Sequence, residues 1–332
     1  MKAILEKLLA SVDLTREEAR ELMRLMLDTD TSEVNISAAL TALRVKGETP
    51  EELAGCTEAL LEVAHRVDNI ARPCVDTCGT GGDNSGTFNI STATALLCAA
   101  ADLNVAKHGN RSVSSQSGSA DVIEALGIPF CEPDNLNSTS RFRFFFAPSY
   151  HAAVKRVVPV RQALKTRTIF NLVGPLANPA SPEYQLIGVP SSDFLNTMGQ
   201  SLALLNRKRA FVVHGEPGLD EASPAGPFHI LDVTKGELSH TYMSAEQFGL
   251  PTCSLNDIQG GDAKHNAGII EAIFRGEKSP RRDTVVLNTA LIFLLVGKAQ
   301  TEKEAASMAA EVIDSGKAIT FLEKQRSTAD VA

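Results

Sequence analysis

The sequence has no apolar run long enough to cross a bilayer. Its longest uninterrupted apolar stretches, such as residues 290–296, fall far short of the ~20 residues that a membrane-spanning helix needs. The first residues carry Glu6, Lys7 and Asp13 through their apolar part, so they lack the uncharged core of a signal peptide. We therefore expect no membrane partner and a cytoplasmic location.

The chain also lacks an excess of basic residues. It has 32 Lys and Arg against 40 Asp and Glu, which gives a formal net charge of −8. Sequence-independent binding to nucleic acid needs a basic face, so this balance argues against a nucleic-acid partner. An acidic net charge is still compatible with a local basic pocket that binds a small anion.

Cysteine is too sparse for a disulfide framework, which belongs to short secreted chains. The chain has 332 residues and six cysteines, and Cys74 and Cys78 have no second pair at zinc-finger spacing. We therefore expect free thiols in a reducing compartment.

Local signals divide the chain into two parts. Three helix starts lie near the beginning: Thr15 opens a capping box, Ser32 can cap a second helix, and Thr49 precedes a proline and two glutamates. The third of these helices is expected to run to about residue 67. The pattern predicts a small helical domain, residues 1–70, followed by a larger α/β domain, residues 71–332.

Short apolar segments alternate with helical patterns in the second part. The predicted strands are residues 73–76, 104–107, 142–146, 185–189, 209–213, 228–233 and 239–243. The last two are joined through Lys235-Gly236 and form a predicted hairpin. The predicted helices follow Ser91 and cover residues 120–126, 193–205, 263–274, 284–296 and 302–314. This alternation predicts a mainly parallel central sheet.

The most informative segment is the glycine-rich stretch of residues 76–92, DTCGTGGDNSGTFNIST. Glycines let the backbone approach a ligand, and a helix start adds unpaired N–H groups and a positive dipole end. Thr87, Asn89, Ser91 and Thr92 add side-chain donors, so the stretch predicts a phosphate cradle. It matches neither a Walker loop nor a complete dinucleotide-binding fingerprint. The alternative is a tight turn before a well-capped helix.

A second polar stretch, KHGNRSVSSQSGSAD, covers residues 107–121 after the next predicted strand. Lys107, Arg111 and the hydroxyl groups can hold a highly charged polyphosphate. The alternative is a solvated serine-rich loop. Its place one strand–helix unit after the first cradle favours the binding interpretation.

These two stretches resemble the anthranilate phosphoribosyltransferase family when they are taken with three further motifs. Those are RQALKTRTIFN at residues 161–171, GPLANP at residues 174–179 and the pair Asp220-Glu221. The resemblance covers nearly the whole chain. The GTGGD and KHGNR motifs also occur in pyrimidine nucleoside phosphorylases, whereas the full set in this order is specific to the transferases.

The resemblance implies a transfer of the 5-phosphoribosyl group from phosphoribosyl pyrophosphate to the amine of anthranilate. The products would be N-(5-phosphoribosyl)anthranilate and pyrophosphate, in the second step of tryptophan synthesis from chorismate. It further implies Mg²⁺ as cofactor, with two ions, and a cleft between two domains. Helices near residues 155–180 would complete the helical domain, which would also form a homodimer.

The family match assigns donor and metal roles residue by residue. Ser91, Asp220 and Glu221 are implied as metal contacts. The implied donor-binding residues are Gly79, Gly82, Asp83, Thr87, Asn89, Ile90, Ser91, Thr92, Lys107, His108, Gly109, Asn110, Arg111, Ser112, Val113, Ser114, Ser115 and Ser119. Without the resemblance, an Asp-Glu pair after a Pro-Gly turn is more typical of a solvated loop.

The acceptor site is implied by the same match. Gly79, Asn110 and Arg161 would bind anthranilate, because a planar guanidinium pairs well with a carboxylate. Without the resemblance, Arg161 reads as a surface arginine, and Arg156, Lys165 and Arg167 are neighbouring cations that could attract anions. No covalent nucleophile is implied. His108 or His151 could accept the proton that the amine releases.

Two other functions compete with this interpretation. A pyrimidine nucleoside phosphorylase shares part of the motif set but is longer and has a third domain. A non-enzymatic nucleic-acid-binding relative would need a basic face and would have no use for the Asp220-Glu221 pair.

Overall fold

The computed structural model describes residues 1–112, 116–134 and 140–327. It begins with four helices: α1 (Lys2–Leu9), α2 (Arg16–Leu27), α3 (Glu33–Lys46) and α4 (Pro50–Glu62). The predicted caps are confirmed, because the side chains of Thr15, Ser32 and Thr49 each accept a backbone N–H hydrogen bond from the first helical turn. Helix α4 ends short of its predicted end near residue 67.

Helices α2 and α4 pack closely because Gly55 has no side chain. A Cβ atom at Gly55 would lie 2.1 Å from the Arg16 carbonyl oxygen. Two later helices, α8 (Val158–Leu164) and α9 (Ile169–Leu176), join the same apolar cluster through Val160 and Ile169. This first unit therefore combines the N-terminal helices with chain from the middle of the sequence.

A seven-stranded sheet forms the centre of the second unit. Its strands are β1 (Cys74–Gly79), β2 (Asn104–Gly109), β3 (Phe142–Phe146), β4 (Tyr184–Gly188), β5 (Arg209–Gly215), β6 (Phe228–Thr234) and β7 (Glu237–Met243). The order is β3-β2-β1-β4-β5-β6-β7. The first five strands are parallel to one another, β6 is antiparallel to β5, and β6 and β7 form the predicted antiparallel hairpin. The predicted mainly parallel sheet is thereby confirmed.

Helices cover both faces of this sheet. The remaining helices are α5 (Ile90–Ala100), α6 (Ser119–Ala125), α7 (Ala147–Tyr150), α10 (Asp193–Leu204), α11 (Ala263–Phe274), α12 (Pro280–Leu295), α13 (Glu302–Asp314) and α14 (Lys317–Ser327). Helices α5 and α11–α14 contribute to the apolar cluster on one face, and α10 with the N-terminal unit covers the other. Helix α14 was not predicted, since its buried face holds only Ala318, Leu322 and Gln325.

The structure bears on the length of the apolar helices and on the state of the cysteines. Within the described ranges, no helix is both long and apolar enough to cross a bilayer. All six cysteines are free thiols, as expected.

A buried carboxylate ties together the helices of the first unit. Glu52 is fully buried in the first turn of α4, where it accepts hydrogen bonds from the backbone N–H groups of Leu14 and Thr49, both at 2.9 Å. Its Oε2 atom also lies 3.0 Å from Nζ of Lys46, whose side chain is itself nearly buried. One carboxylate thus joins the loop before α2, the end of α3 and the start of α4.

We expect Glu52→Ala to destabilise the protein strongly. The substitution leaves the Leu14 N–H and the Lys46 ammonium without this buried partner, and breaking such a pair costs about 3 kcal/mol. Thermal unfolding followed by circular dichroism would measure the loss. Glu51→Ala is the matched control, because Glu51 is the exposed neighbour on the same turn. Equal melting temperatures for the two variants would show that the Glu52 contacts contribute little.

Candidate active site

The candidate site lies at the edge of the sheet where the carboxyl ends of the parallel strands meet. After β1 the chain continues outward to β2 and β3, and then returns to β4 on the other side of β1. Such a reversal leaves a crevice beyond the strand ends, which is where ligands bind in open α/β sheets. The glycine-rich loop, residues 80–89, fills one side of this crevice between β1 and α5.

The backbone of the glycine-rich loop is exposed but held in place. Gly81 and Gly82 are exposed and have φ values of +72° and +80°, a conformation that favours glycine. The far side of the loop is fixed by Gln259 and Gly260: Nε2 of Gln259 donates to the Ser85 carbonyl at 2.9 Å, and the Gly260 N–H donates to the Gly86 carbonyl at 2.9 Å. The loop is therefore a preformed surface of backbone groups.

Asp220 lies directly against this loop. Its Oδ2 atom accepts a hydrogen bond from the Gly81 N–H at 2.7 Å. The approach requires glycine at two positions, because a Cβ at Gly79 would lie 2.0 Å from Oδ2 of Asp220 and one at Gly188 would lie 1.5 Å from its carbonyl oxygen. The structure thus brings the predicted acidic pair to the predicted cradle.

Three carboxylates share this small region. Burial, together with the charge of Asp83, raises the pKa of Asp220 to about 7. Burial and the neighbouring Asp220 raise the pKa of Glu221 well above its usual range. The buried Oδ2 atom of Asp83 has no hydrogen-bond partner among the described residues. A cation would remove the repulsion between these groups and satisfy that oxygen.

The donor set fits a hard divalent cation that is shared with a ligand. Within the described part of the chain, no three His, Cys, Asp or Glu side chains are placed to hold a metal by themselves. Mg²⁺ is commonly held by one or two carboxylates together with substrate phosphates. The side-chain oxygens of Asp83, Asp220 and Glu221 beside an exposed backbone cradle suit that arrangement.

Lys107 lies beneath the site and does not reach into the crevice. It is 1% exposed, and its Nζ atom donates to the Thr77 carbonyl at 2.7 Å and to Oγ of Ser91 at 3.4 Å. Its charge lowers the pKa values of Asp76 and Glu221 against the effect of burial. That Lys107 holds the polyphosphate directly stays a prediction; in this structure its ammonium is a buried counter-charge.

Several predicted donors near α5 are buried or already hydrogen-bonded within the protein. Ile90 and Thr92 are buried. The Thr92 hydroxyl has no hydrogen-bond partner among the described residues, and its role as a donor stays a prediction. Asn89 is occupied by Ser117 and Asn266, with its Oδ1 accepting from both. Ser91 is half-buried, and its N–H forms a hydrogen bond to Glu221. Of these four, Ser91 alone touches the acidic cluster.

In the second polar stretch, the cation Arg111 is paired with acids of helix α6. The guanidinium of Arg111 pairs with Asp121 at 2.8 Å and Glu124 at 2.9 Å on α6. That Arg111 holds the polyphosphate stays a prediction; in this structure its charge is balanced by these two acids. Ser119 donates to the Asn110 carbonyl at 3.4 Å, which keeps these two predicted residues adjacent.

The remaining predicted donor residues that the structure describes lie at the end of β2, in the loop before α6 and in the glycine-rich loop. Gly109 ends β2, and the Ser112 N–H donates to Asp121 at 3.2 Å. Thr87 belongs to the first loop, where its hydroxyl lies 3.1 Å from that of Ser85. Val113, Ser114 and Ser115 lie outside the described residues.

His108 and His151 form a pair of rings whose centroids are 5.2 Å apart. Burial, with a smaller contribution from His151, lowers the pKa of His108 to about 3. Its Nε2 atom is buried and has no hydrogen-bond partner among the described residues. The ring of His151 is hydrogen-bonded to the Ala177 carbonyl at 2.9 Å. His108 is therefore neutral at pH 7, with one ring nitrogen open to a partner.

Arg161 is a desolvated cation on the helical side. Its guanidinium lies 5.2 Å from the centre of the Phe170 ring, and burial lowers its pKa. No carboxylate within the described ranges lies at ion-pair distance from it, unlike Arg156, which lies 3.5 Å from Glu33. A half-buried guanidinium without an acid favours an incoming anion.

Two buried residues support the site although no sequence motif indicates that role for them. Asp76 has its pKa raised to about 6 by burial, and its Oδ2 accepts from Nδ2 of Asn178 at 2.8 Å. Both residues lie inside the quoted motifs, but nothing in their local pattern indicates contact across a hundred positions. The GPLANP motif is therefore hydrogen-bonded to β1 beneath the glycine-rich loop.

Comparison with known proteins agrees with this architecture. The glycosyl transferase family matches in two pieces, with its helical bundle domain on residues 2–64 and its a/b domain on residues 71–319. The anthranilate phosphoribosyltransferase of Idiomarina loihiensis is 44% identical over 98% of this chain and 97% of its own length. That of Syntrophomonas wolfei is 45% identical over 95% of this chain and 93% of its own.

Solved structures give the same result. The anthranilate phosphoribosyltransferase of Thermus thermophilus superposes with a TM-score of 0.92 at 38% identity, covering 98% of this chain and 99% of its own. The Saccharomyces cerevisiae enzyme in complex with phosphoribosyl pyrophosphate and Mg has a TM-score of 0.91 at 28% identity, covering 99% and 98%. The chain therefore belongs to the glycosyl transferase family, among its anthranilate phosphoribosyltransferases.

Proposed function

We propose that the protein transfers the 5-phosphoribosyl group of phosphoribosyl pyrophosphate to the amine of anthranilate, releasing pyrophosphate, as a step of tryptophan synthesis. The observation that carries this proposal is the contact of Asp220 with the Gly81 N–H beside Asp83 and Glu221. Such a cluster of acids on a backbone cradle suits a metal-bound pyrophosphate. The yeast relative has been solved with phosphoribosyl pyrophosphate and Mg, and with 4-fluoroanthranilate.

The donor would lie along the glycine-rich loop. Exposed N–H groups of the loop would orient the pyrophosphate, and Asp83, Ser91, Asp220 and Glu221 would hold Mg²⁺, with two ions as the proposed number. When bound, the metal supplies positive charge to the leaving oxygen. Lys107 offsets part of the negative charge of the cluster from below and lowers the pKa of Glu221 against the effect of burial.

The acceptor would lie between Arg161 and the end of β2. Arg161 would pair with the carboxylate of anthranilate, and Asn110 and the Gly79 backbone would position the ring. The amine is neutral at pH 7 and attacks without prior deprotonation. His108 would then take the proton at its open ring nitrogen. Its lowered pKa suffices because the arylammonium formed by the attack is a strong acid.

A fluorescence assay tests this function directly. Anthranilate, phosphoribosyl pyrophosphate and Mg²⁺ are mixed with the protein, and we expect the anthranilate fluorescence to fall at a rate proportional to protein concentration. Phosphorolysis of a pyrimidine nucleoside, measured in parallel, should not occur. Constant anthranilate fluorescence, or nucleoside cleavage instead, would refute the proposal.

The acidic pair should control the metal response. The double variant Asp220→Asn, Glu221→Gln removes the charges that would hold Mg²⁺, and we expect kcat to fall by at least about a hundredfold, the typical effect of losing electrostatic stabilisation of a transition state. Rates measured against Mg²⁺ concentration should show a weakened metal dependence. Asp232→Asn, on β6, is the control because it removes a carboxylate that pairs with Arg209. Wild-type metal dependence in the double variant would remove the pair from the site.

Arg161 should act on the acceptor alone. A charge-assisted hydrogen bond contributes about 1.5–3 kcal/mol, so Arg161→Ala should raise the KM for anthranilate about tenfold or more. The KM for the donor should change little, and Arg161→Lys should restore only part of the loss, because an ammonium lacks the planar fork. Steady-state kinetics with each substrate varied in turn would decide. A higher donor KM with an unchanged anthranilate KM would place Arg161 in the phosphate site instead.

We also propose that the protein is a homodimer formed through its helical domain. An open groove of about 770 Å³ on this domain is lined by Leu9, Val34 and Val45, which are 70%, 77% and 81% exposed. Exposed apolar side chains that cluster in this way favour association, and a second copy presents the same surface to form a closed pair.

Light scattering after size exclusion would test the dimer. Val45→Asp introduces a charge into the groove and should shift the protein to the mass of one chain. The matched control is Tyr242→Asp, which places the same charge at another exposed apolar side chain, on β7. A dimer that persists in Val45→Asp would argue against this interface.

We also propose where the domain boundary and the cellular location of the protein lie. We propose that residues 1–70 and the helices near residues 155–180 form the helical domain, and that the rest of residues 71–332 form the α/β domain. The shared apolar cluster of α8 and α9 with α3 and α4 supports this division. The six free thiols support a cytoplasmic location.

A further inference from the structure

Arg167 reaches from the helical side of the crevice to the glycine-rich loop. It lies in the short segment between α8 and α9, and its Nη1 atom donates to the Gly81 carbonyl at 3.2 Å. The guanidinium is centred 5.3 Å from the ring of Phe194, which holds it in place. This arginine therefore joins the two walls of the candidate site.

The loop leaves space for this guanidinium. Gly82 has a φ of +80°, and a Cβ atom there would lie 2.9 Å from Nη1 of Arg167. The glycine therefore serves two purposes: it permits the backbone conformation and it leaves room for the arginine. A side chain at position 82 would have to displace Arg167.

The charge of Arg167 is not balanced within the described residues. No carboxylate lies at ion-pair distance, and its Nη2 atom is buried without a hydrogen-bond partner there. Burial and the nearby charge of Arg44 lower its pKa, while the charge of Asp220 acts in the opposite direction. A half-buried guanidinium with a free N–H group is costly unless an anion binds to it.

We propose that Arg167 binds the pyrophosphate of the donor and stabilises it as the leaving group. This inference rests on the proposed function. In the transfer, the C1–N bond to anthranilate forms as the C1–O bond breaks, and pyrophosphate leaves with the electron pair of that bond. A fixed cation beside Gly81 and Gly82 meets the charge that develops on the leaving oxygens. Arg167 thereby has a role separate from that of Arg161, which lies over Phe170.

Calorimetric titration of the whole protein with pyrophosphate in saturating Mg²⁺ tests the proposal without relying on turnover. We expect Arg167→Ala to weaken pyrophosphate binding about tenfold or more, as for the loss of a charge-assisted hydrogen bond. Arg167→Lys should restore part of the affinity, and Arg167→Gln, which keeps an N–H donor without the charge, should restore little. Lys155→Gln is the control, because it removes an exposed cation from the neighbouring segment.

Kinetics separate this role from a structural one. Arg167→Ala should lower kcat and raise the inhibition constant of pyrophosphate, with less than about a twofold change in the KM for anthranilate and with an unchanged melting temperature. Wild-type pyrophosphate affinity in Arg167→Ala would overturn the proposal. A rise in the anthranilate KM alone would overturn it too, because the residue would then belong to the acceptor pocket.

The wild-type protein distinguishes this inference from the proposed function. If it binds pyrophosphate through Arg167 but does not consume anthranilate, the proposed acceptor fails and the role of Arg167 stands. If it consumes anthranilate and Arg167→Ala behaves as the wild type, only the role of Arg167 fails. If the wild type does not bind pyrophosphate at all, both fail.

Discussion

The candidate site depends on one electrostatic constraint: three carboxylates share a space with little access to water. Burial and mutual repulsion push the pKa values of Asp220 and Glu221 upward, and Asp83 adds to both. The fold does not relieve this with an adjacent ion pair. It provides one buried ammonium, Lys107, whose hydrogen bonds go to Thr77 and Ser91. The cluster therefore retains an affinity for external cations, and a metal carried by a polyanion satisfies both the acids and the exposed N–H groups of the loop.

The opposite wall of the crevice has the complementary imbalance. Arg161 and Arg167 are both partly desolvated, and neither has a carboxylate at ion-pair distance among the described residues, whereas Arg111 and Arg156 on nearby segments are paired. The acids of one wall and the arginines of the other form no ion pairs within the described residues, because the two sets are held by different units of the fold. A metal-bound pyrophosphate on the donor and the aromatic carboxylate of the acceptor would together neutralise both walls. This explains why the site lies between the units.

Much of the fold could be predicted from sequence because its signals are local. Capping residues such as Thr15 and Thr49 act within one turn. The helix predicted for residues 263–274 has the same bounds as α11. The glycine-rich loop was recognisable as a cradle for the same reason. The sequence could not place Lys107 under the site or Arg167 against the loop, since both depend on contacts between distant segments. The contact between Asp220 and Gly81 spans 139 positions, and here only the family resemblance pointed to the acidic pair.

Two glycines illustrate how a long-range contact can constrain a local sequence. Gly79 and Gly188 are paired in register at the ends of β1 and β4, and Asp220 crosses directly over both. Neither glycine has a positive φ, so backbone strain does not explain them. The explanation is space: any side chain at either position would lift Asp220 from the strand ends and break its hydrogen bond to Gly81. The glycines of the cradle therefore have two origins, since Gly81 and Gly82 shape the loop, whereas Gly79 and Gly188 set the distance between the loop and its acids.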